Sequence, residues 1–431
     1  MWKRYKPSKE TPWNANRAIH LFRRAAFGGS IEEIERAVSE GVDATIDRIL
    51  AGEVNRPDSD TVDATSKLLA ESAIATNQVI KLKSAWILRI LNSADPLRER
   101  VTLMWHDHFA TSNIKLNDCY AIWQQNQLFR TAGLGSFRKL VDLVLHDSAL
   151  LRWLDAPSNV KEAPNENLAR ELMELFALGV GSYTEDDVKE VARTLSGRKL
   201  DDDMNCVDDK ASHDSGEKTI FGKKANYTPN DLPDILTSHP QCARRITWRV
   251  CRCLLGEDVV SSDAHADLAK QYRSNGWTIR QLIETVLRSE RFFESLGKRV
   301  TPPVEFAAAA IRMLRPQDRP SPAILADWLA ELGQDLFLPP NVAGWPGGET
   351  WISPQRMISR MRFAAALATG ELRSPVEPIR PELASANTTV GSTPVQQLLI
   401  ARPLSDTSQA IAKSNPNSIA TLLSLPEAQI D

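Results

Sequence analysis

The sequence predicts an all-α protein: a multi-helix single globular domain with a long irregular insertion at about 198–235 and short C-terminal helices. Three observations carry that expectation. Apolar residues recur at spacings of three and four over most of the chain, the period of a helix with one buried face. Alternating apolar and polar runs, the mark of a half-buried strand, are sparse. Capping residues and glycines punctuate the helical runs at their ends.

Residues 14–27 read as an amphipathic helix that stops at Gly28 and Gly29. Ser30 then caps a second helix, with Glu33 at the capping-box position. Residues 43–51 form a short helix, and a Pro/Asp-rich loop covers 55–61. A helical pattern spans 63–93, with Leu68, Leu69, Ile74, Ile80, Leu82, Trp86, Leu88 and Leu91 as core positions. Pro96 opens the helix of PLRERVTLMWHDHFATS. His106 and His108 lie on it two residues apart, so they point roughly 200° from each other and cannot share a metal on a regular helix. One is expected to be packed and one exposed, or else His108 reaches a polar cluster further on. Helices follow at 119–130 and 136–154, with His146 and Asp147 as a surface pair.

That cluster lies in the stretch from Pro164 to Gly197. Leu168, Leu172 and Leu175 share one helix face, widened by Met173 and Phe176, and Gly179 and Gly181 close the helix. Thr184 with Asp187 caps the next. Asn165, Glu166, Asn167, Arg170, Glu171 and Glu174 crowd the first helix, Glu166 pairing with Arg170 at i,i+4. Such pairs on a solvated face contribute ~0.2–0.5 kcal/mol each. The other reading turns Glu166, Arg170 and Glu171 inward onto a ligand or metal. Periodicity leaves both open.

The 198–235 segment has no helical period and suits a lid or loop with a short hairpin. Within it, His213, Asp214 and Lys218 set a base, an acid and a cation close together. Asp201, Asp203, Asn205 and Asp209 match some calcium-loop positions, but Cys206 and Ser212 break the pattern. Helices resume at 240–255, 263–274, 278–288, 303–314, 321–333 and 354–371. In the Gly/Pro/Trp loop at 341–354, Trp345 and Trp351 either line a pocket or plug the core. Residues 1–371 form the main domain and 372–395 a Pro/Ser/Thr-rich linker. Residues 396–431 are expected as a helical extension packing on that domain.

Composition bounds the function. A chain of 431 residues is long enough for a large core. A net charge of −3 gives no field favouring nucleic acid. No stretch approaches the ~20 apolar residues of a membrane span. The N-terminus is basic but lacks an apolar signal core. The five cysteines are odd in number and lack metal-site spacing, which suits reduced thiols in a cytoplasmic protein. P-loop, G-x-G-x-x-G, H-E-x-x-H and G-x-S-x-G motifs are absent.

Several stretches together resemble the bacterial domain of unknown function 1800 family. They are HLFRRAAFG (20–28), MWHDHFATS (104–112), NENLARELMELFALGVGSYTEDDVKEVARTLSG (165–197), HDSGEKTIFG (213–222), HPQCARRITWRV (239–250), PPVEFAAAAIRML (302–314), NVAGWPGGETWISP (341–354) and LLSLPEAQ (422–429). The resemblance implies an all-helical domain with no established activity. It also implies relatives that often carry an export signal, and a companion role beside a sulfatase-like protein encoded nearby. Arg198 departs from the pattern, which usually has Trp there. The positions matching the family's polar motifs are His106, His108, Asn165, Glu166, Asn167, Arg170, Glu171, His213, Asp214 and Lys218, and their match favours one shared pocket.

Two functions fit. The first is a binding or companion protein whose buried polar network fixes helix register. The second is a hydrolytic enzyme, with or without a divalent metal. There His108 or His213 would be base or ligand, Glu166 and Glu171 the carboxylates, and Arg170 or Lys218 the clamp. Zinc, manganese or iron would suit His106, His108, Glu171 and His213 as ligands. Asn165, Asn167, Trp105, Trp345 and Trp351 complete the candidate binding set.

Overall fold

The helical period of the sequence becomes helix along most of the described chain. The computed structural model describes residues 1–54, 59–314, 320–372, 389–390, 393–415 and 418–431. The only sheets among these are three two-stranded antiparallel hairpins, so the protein is all-α.

Local signals set the helix ends. Asn14 accepts from the Arg17 amide and starts Ala15–Ala26, which closes on Phe27 in the left-handed region. Ser30 with Glu33 and Thr184 with Asp187 form complete capping boxes. Each such cap contributes about 1 kcal/mol. The central layer is the Pro96–His108 helix, packed between Ala15–Ala26, Val79–Asn92 and Cys119–Ala132. Its Trp105 and Phe109 anchor an aromatic core. Trp105 stacks on Phe137 at 5.7 Å, and Phe109 meets Phe176 at 5.0 Å and Phe129 at 5.8 Å. Burying each such ring contributes roughly 1.5–3 kcal/mol.

Five expectations change. The 63–93 run is two helices, Ser59–Thr76 and Val79–Asn92, because Asn77 takes a left-handed backbone (φ 47°). Leu68 faces solvent, 66% exposed, and is not core. The 136–154 run also divides, into Phe137–Val144 and Ser148–Trp153. The cause is Asp147, which is buried and caps the second helix through the Leu150 amide. It is therefore not half of a surface pair. Finally, 198–235 holds two hairpins, Arg198–Leu200 with Cys206–Asp208 and Lys218–Ile220 with Lys223–Ala225, and the start of helix Leu232–Ser238. Strands of three residues are too short to show an alternation, and Lys218 sits on the buried face of the second hairpin.

The 372–395 linker reading falls mostly outside the described residues, as do positions 55–58 of the Pro/Asp-rich loop. Further on, Ile419–Ser424 packs on Pro354–Thr369, and Val395–Leu399 packs on Pro303–Leu314. Ile430 bridges antiparallel to Val300. The buried Arg360 reaches Gln429 at 3.0 Å and the Thr301 carbonyl at 2.6 Å. Arg24 and Arg299 both hold the Asp431 carboxylate.

Candidate functional site

The polar helix begins as the α-helix Asn167–Glu171 and widens into a π-helix at Leu172–Ala177. The wider turn carries the Leu178 amide to the Met173 carbonyl, five residues back. Such widened turns are rare and recur at functional sites. Here the last carbonyls are satisfied from outside the helix. Leu175 O accepts from Arg245 Nε and Nη2 at 2.9 and 2.6 Å, and Phe176 O accepts from His108 Nε2 at 2.8 Å.

The charged side chains of the same helix face outward. Arg170 takes Glu166 at 2.9 Å and Glu185 in a two-pronged pair at 2.9 and 2.8 Å. These two carboxylates raise the Arg170 pKa, Glu185 first. Glu171 is half-buried and makes no ion pair among the described residues, and burial followed by Glu174 pushes its pKa up. Asn165 is a turn-former. Its Oδ1 accepts the Asn167 amide and its Nδ2 donates to Ser158 Oγ. The Asn167 side chain is half-buried, with no hydrogen bond of its own among the described residues.

The two histidines of MWHDH are both buried, at 1% and 4% exposure, so the expectation of one exposed ring is corrected. Their spacing sends them apart. His106 Nε2 accepts the Phe337 amide at 3.2 Å, while His108 donates to Phe176 O. Burial drops the His106 pKa to about 4. Burial and the Arg249 and Arg245 charges drop that of His108 well below its ordinary value. Both rings are therefore neutral. His108 does reach the polar helix, but it bonds the backbone there rather than the carboxylates. Trp105 donates to Gly133 O at 2.9 Å and belongs to the core.

His213, Asp214 and Lys218 attach the second hairpin to helix Glu185–Leu195. The His213 Nδ1 lies 2.8 Å from Ser196 O, and Asp214 pairs with Arg193 at 2.7 Å. Lys218 is fully buried and donates to the carbonyls of Asp214 and Tyr227, and burial lowers its pKa. Asp187 and Glu190 accept the Phe221 and Thr219 amides, both at 2.8 Å. The hairpin is thus fastened by side chains of the helix beside it. No hydrogen bond or ion pair joins His106, His108 or His213 to Glu166 or Glu171 among the described residues. No group of three His, Cys, Asp or Glu side chains there is disposed to hold a metal ion.

A cavity of about 70 Å³ opens elsewhere, between Pro96–His108, Pro240–Leu254 and the Gly/Pro/Trp loop. Trp345 and Trp351 line it, and both also pack in the hydrophobic core, at 4% and 5% exposure. Arg100, Arg249, Arg252 and Arg299 supply its cations, and the buried Glu305, the partly buried Asp107 and Glu257 its acids. Asp107 organises one wall. Its Oδ1 accepts the Trp345 amide at 2.7 Å and its Oδ2 accepts from Arg249 at 2.5 Å. Gly344, at φ +82°, lies so close that a Cβ would strike the Asp107 oxygens.

The sequence pointed to the histidines and passed over Asp107 between them. An acid set between two histidines on one helix was the available signal. The spacing of Arg245, Arg249 and Arg252, at i, i+4 and i+7, was another. A family model described as Protein of unknown function (DUF1800) matches residues 20–430. Neither a curated protein nor a solved structure matches the chain.

Proposed function

We propose, from the premise that this chain belongs to the DUF1800 family, that it is a binding or companion protein whose buried polar network holds a ligand cavity open. One observation carries this reading. Three successive residues each fasten a different part of the chain: His106 the 337 backbone, Asp107 the Trp345 loop and His108 the π-helix. Groups so engaged are framework, and the cavity opens directly beside Asp107. The hydrolytic alternative called for the candidate histidines to converge with Glu166 and Glu171, and among the described residues no hydrogen bond or ion pair joins them.

The candidate residues divide under this reading. Trp345 and Trp351 form the cavity. His106, His108, His213, Asp214 and Lys218 are framework, and Glu166, Arg170 and Glu171 belong to the half-exposed face of the Asn167–Glu171 helix. The segment 396–431 is read as part of the main helical body, supported by its packing on Pro303–Leu314 and Pro354–Thr369. The sulfatase-like companion rests on the family resemblance, and its binding surface would be sought by co-purification. No helix among the described residues is long and apolar enough to cross a membrane. All five cysteines are unpaired, three of them buried, which supports a reducing, cytoplasmic setting.

The test is a thermal-shift screen of neutral, cationic and anionic small molecules against the wild-type chain and Leu103→Trp, which fills the cavity. Compounds that stabilise only the wild type support the reading. If no class stabilises in a cavity-dependent way, and Trp345→Phe leaves all responses unchanged, the binding function is wrong.

A further inference from the structure

We propose that the cavity beneath Trp345 and Trp351 is an oxyanion site, taking a phosphate, sulfate or carboxylate group, either free or as the headgroup of a larger molecule. The proposal rests on the binding reading above and names its ligand class.

Donors outnumber free acceptors at the cavity wall. Arg249 uses only Nη2, which serves Met104 O at 2.9 Å and Asp107. Its Nη1 has no acceptor among the described residues. Arg252 spends Nε on Glu257 at 3.1 Å and Nη2 on Pro346 O at 2.8 Å, leaving Nη1. Gln334 is 5% exposed. Its Oε1 accepts the Val304 amide at 3.0 Å, and its Nε2 has no acceptor among the described residues. The acids are already committed. Asp107 uses both oxygens, and Glu305 gives one to Arg100 and the other to Arg299. Glu257 stands at the rim, 35% exposed, where water screens its charge. Unfilled donors in a buried, cation-lined space call for an anionic acceptor, because a charge-assisted bond is about twice as strong as a neutral one.

The arginines are also held together against their mutual repulsion. Arg245, Arg249 and Arg252 share one face of Pro240–Leu254, with Trp248 beneath Arg245 at 4.8 Å and Arg252 at 5.5 Å. Burial, then Arg249 and Arg252, draw the Arg245 pKa down to about 10. An anion beside Arg249 and Arg252 relieves that repulsion. The loop is shaped to allow the approach. Gly347 and Gly348 have φ +77° and +55°, and a Cβ on Gly347 would collide with Arg252 and Glu257. At about 70 Å³, the space suits one small oxyanion or a few waters.

The experiment is titration calorimetry with inorganic phosphate, sulfate and acetate against chloride, at constant ionic strength. It uses the wild type, Arg252→Gln, Arg249→Lys and, as a surface control, Arg362→Gln. Circular dichroism checks that each variant is folded. Saturable oxyanion binding is expected, about tenfold weaker in Arg252→Gln and Arg249→Lys and unchanged in Arg362→Gln. Phenyl phosphate binding more tightly than inorganic phosphate identifies a headgroup seated against the tryptophans, and equal binding identifies the free ion. No preference over chloride, or equal affinity in all four proteins, overturns the proposal. Cavity-dependent binding of neutral or cationic compounds alone would remove the oxyanion and leave the binding function standing.

Discussion

His108 gives its Nε2 proton to the carbonyl oxygen of Phe176 at 2.8 Å, tying the central helix to the π-helical turn. The bond accounts for a buried histidine that touches no carboxylate. It also fixes the tautomer, since a carbonyl only accepts.

Replacing His108 therefore tests framework against catalysis. His108→Ala should lose about 2–4 kcal/mol, through the orphaned carbonyl and the space left behind. His108→Gln, whose amide nitrogen can take the Nε2 position, should lose clearly less. Urea denaturation measures both, and equal losses would show that the hydrogen bond contributes little.

Stability should fall as pH drops from 6.5 toward 4. The folded pKa of His106 is depressed to about 4 and that of His20 to about 3, both chiefly by burial. The unfolded chain then binds more protons in this window, so stability is full above 6.5 and declines below it. At pH 5 each ring costs roughly 2 kcal/mol relative to pH 8. Asp147 works the other way. Burial raises its pKa to about 6, so acidification relieves it between about 6 and 3.8. Its gain between pH 7 and 5 is roughly 1 kcal/mol, smaller than the histidine losses. His106→Gln should flatten the pH dependence of the urea midpoint, and an unchanged slope would refute the assignment.

The helices were legible because their period and caps are local. Ser30 with Glu33 and Thr184 with Asp187 each write a helix start in four residues. The site was less legible because its geometry is tertiary. Nothing in the sequence near Asp107 says that the Trp345 amide will arrive 2.7 Å from its carboxylate. The π-turn was invisible for a similar reason. Its carbonyls are taken by Arg245 and His108, which lie 70 and 68 residues away along the chain. A helix was expected in this stretch and one forms, but it starts at Asn167 rather than at Pro164, and its charged face is half-exposed, with Arg170 paired to Glu166 and Glu185.

Gly344→Ala should detach the cavity wall. The backbone there has φ +82°, which an alanine adopts only with strain, and the new methyl would press on Asp107. A destabilisation of about 1–3 kcal/mol is expected. Hydrogen exchange should show faster labelling at the Trp345 amide, whose acceptor is Asp107. Wild-type protection of that amide in the variant would mean that the loop is held by other contacts.

Arg198, where the resemblance led us to expect Trp, is 1% exposed. Its Nε meets Asp208 at 3.1 Å and its Nη1 meets Leu145 O at 2.8 Å, but its Nη2 is buried without a partner. Removing a buried cation from such a half-satisfied setting and filling the space with apolar surface is often neutral or stabilising. Arg198→Trp should therefore keep or raise the melting temperature. Arg198→Ala, which leaves a void and the Leu145 carbonyl unbonded, should lose about 2–4 kcal/mol. Asp208 is 45% exposed and returns to water in either variant, so its lost partner adds little. If Arg198→Trp proves as damaging as Arg198→Ala, the guanidinium is doing more for the first hairpin than its two bonds indicate.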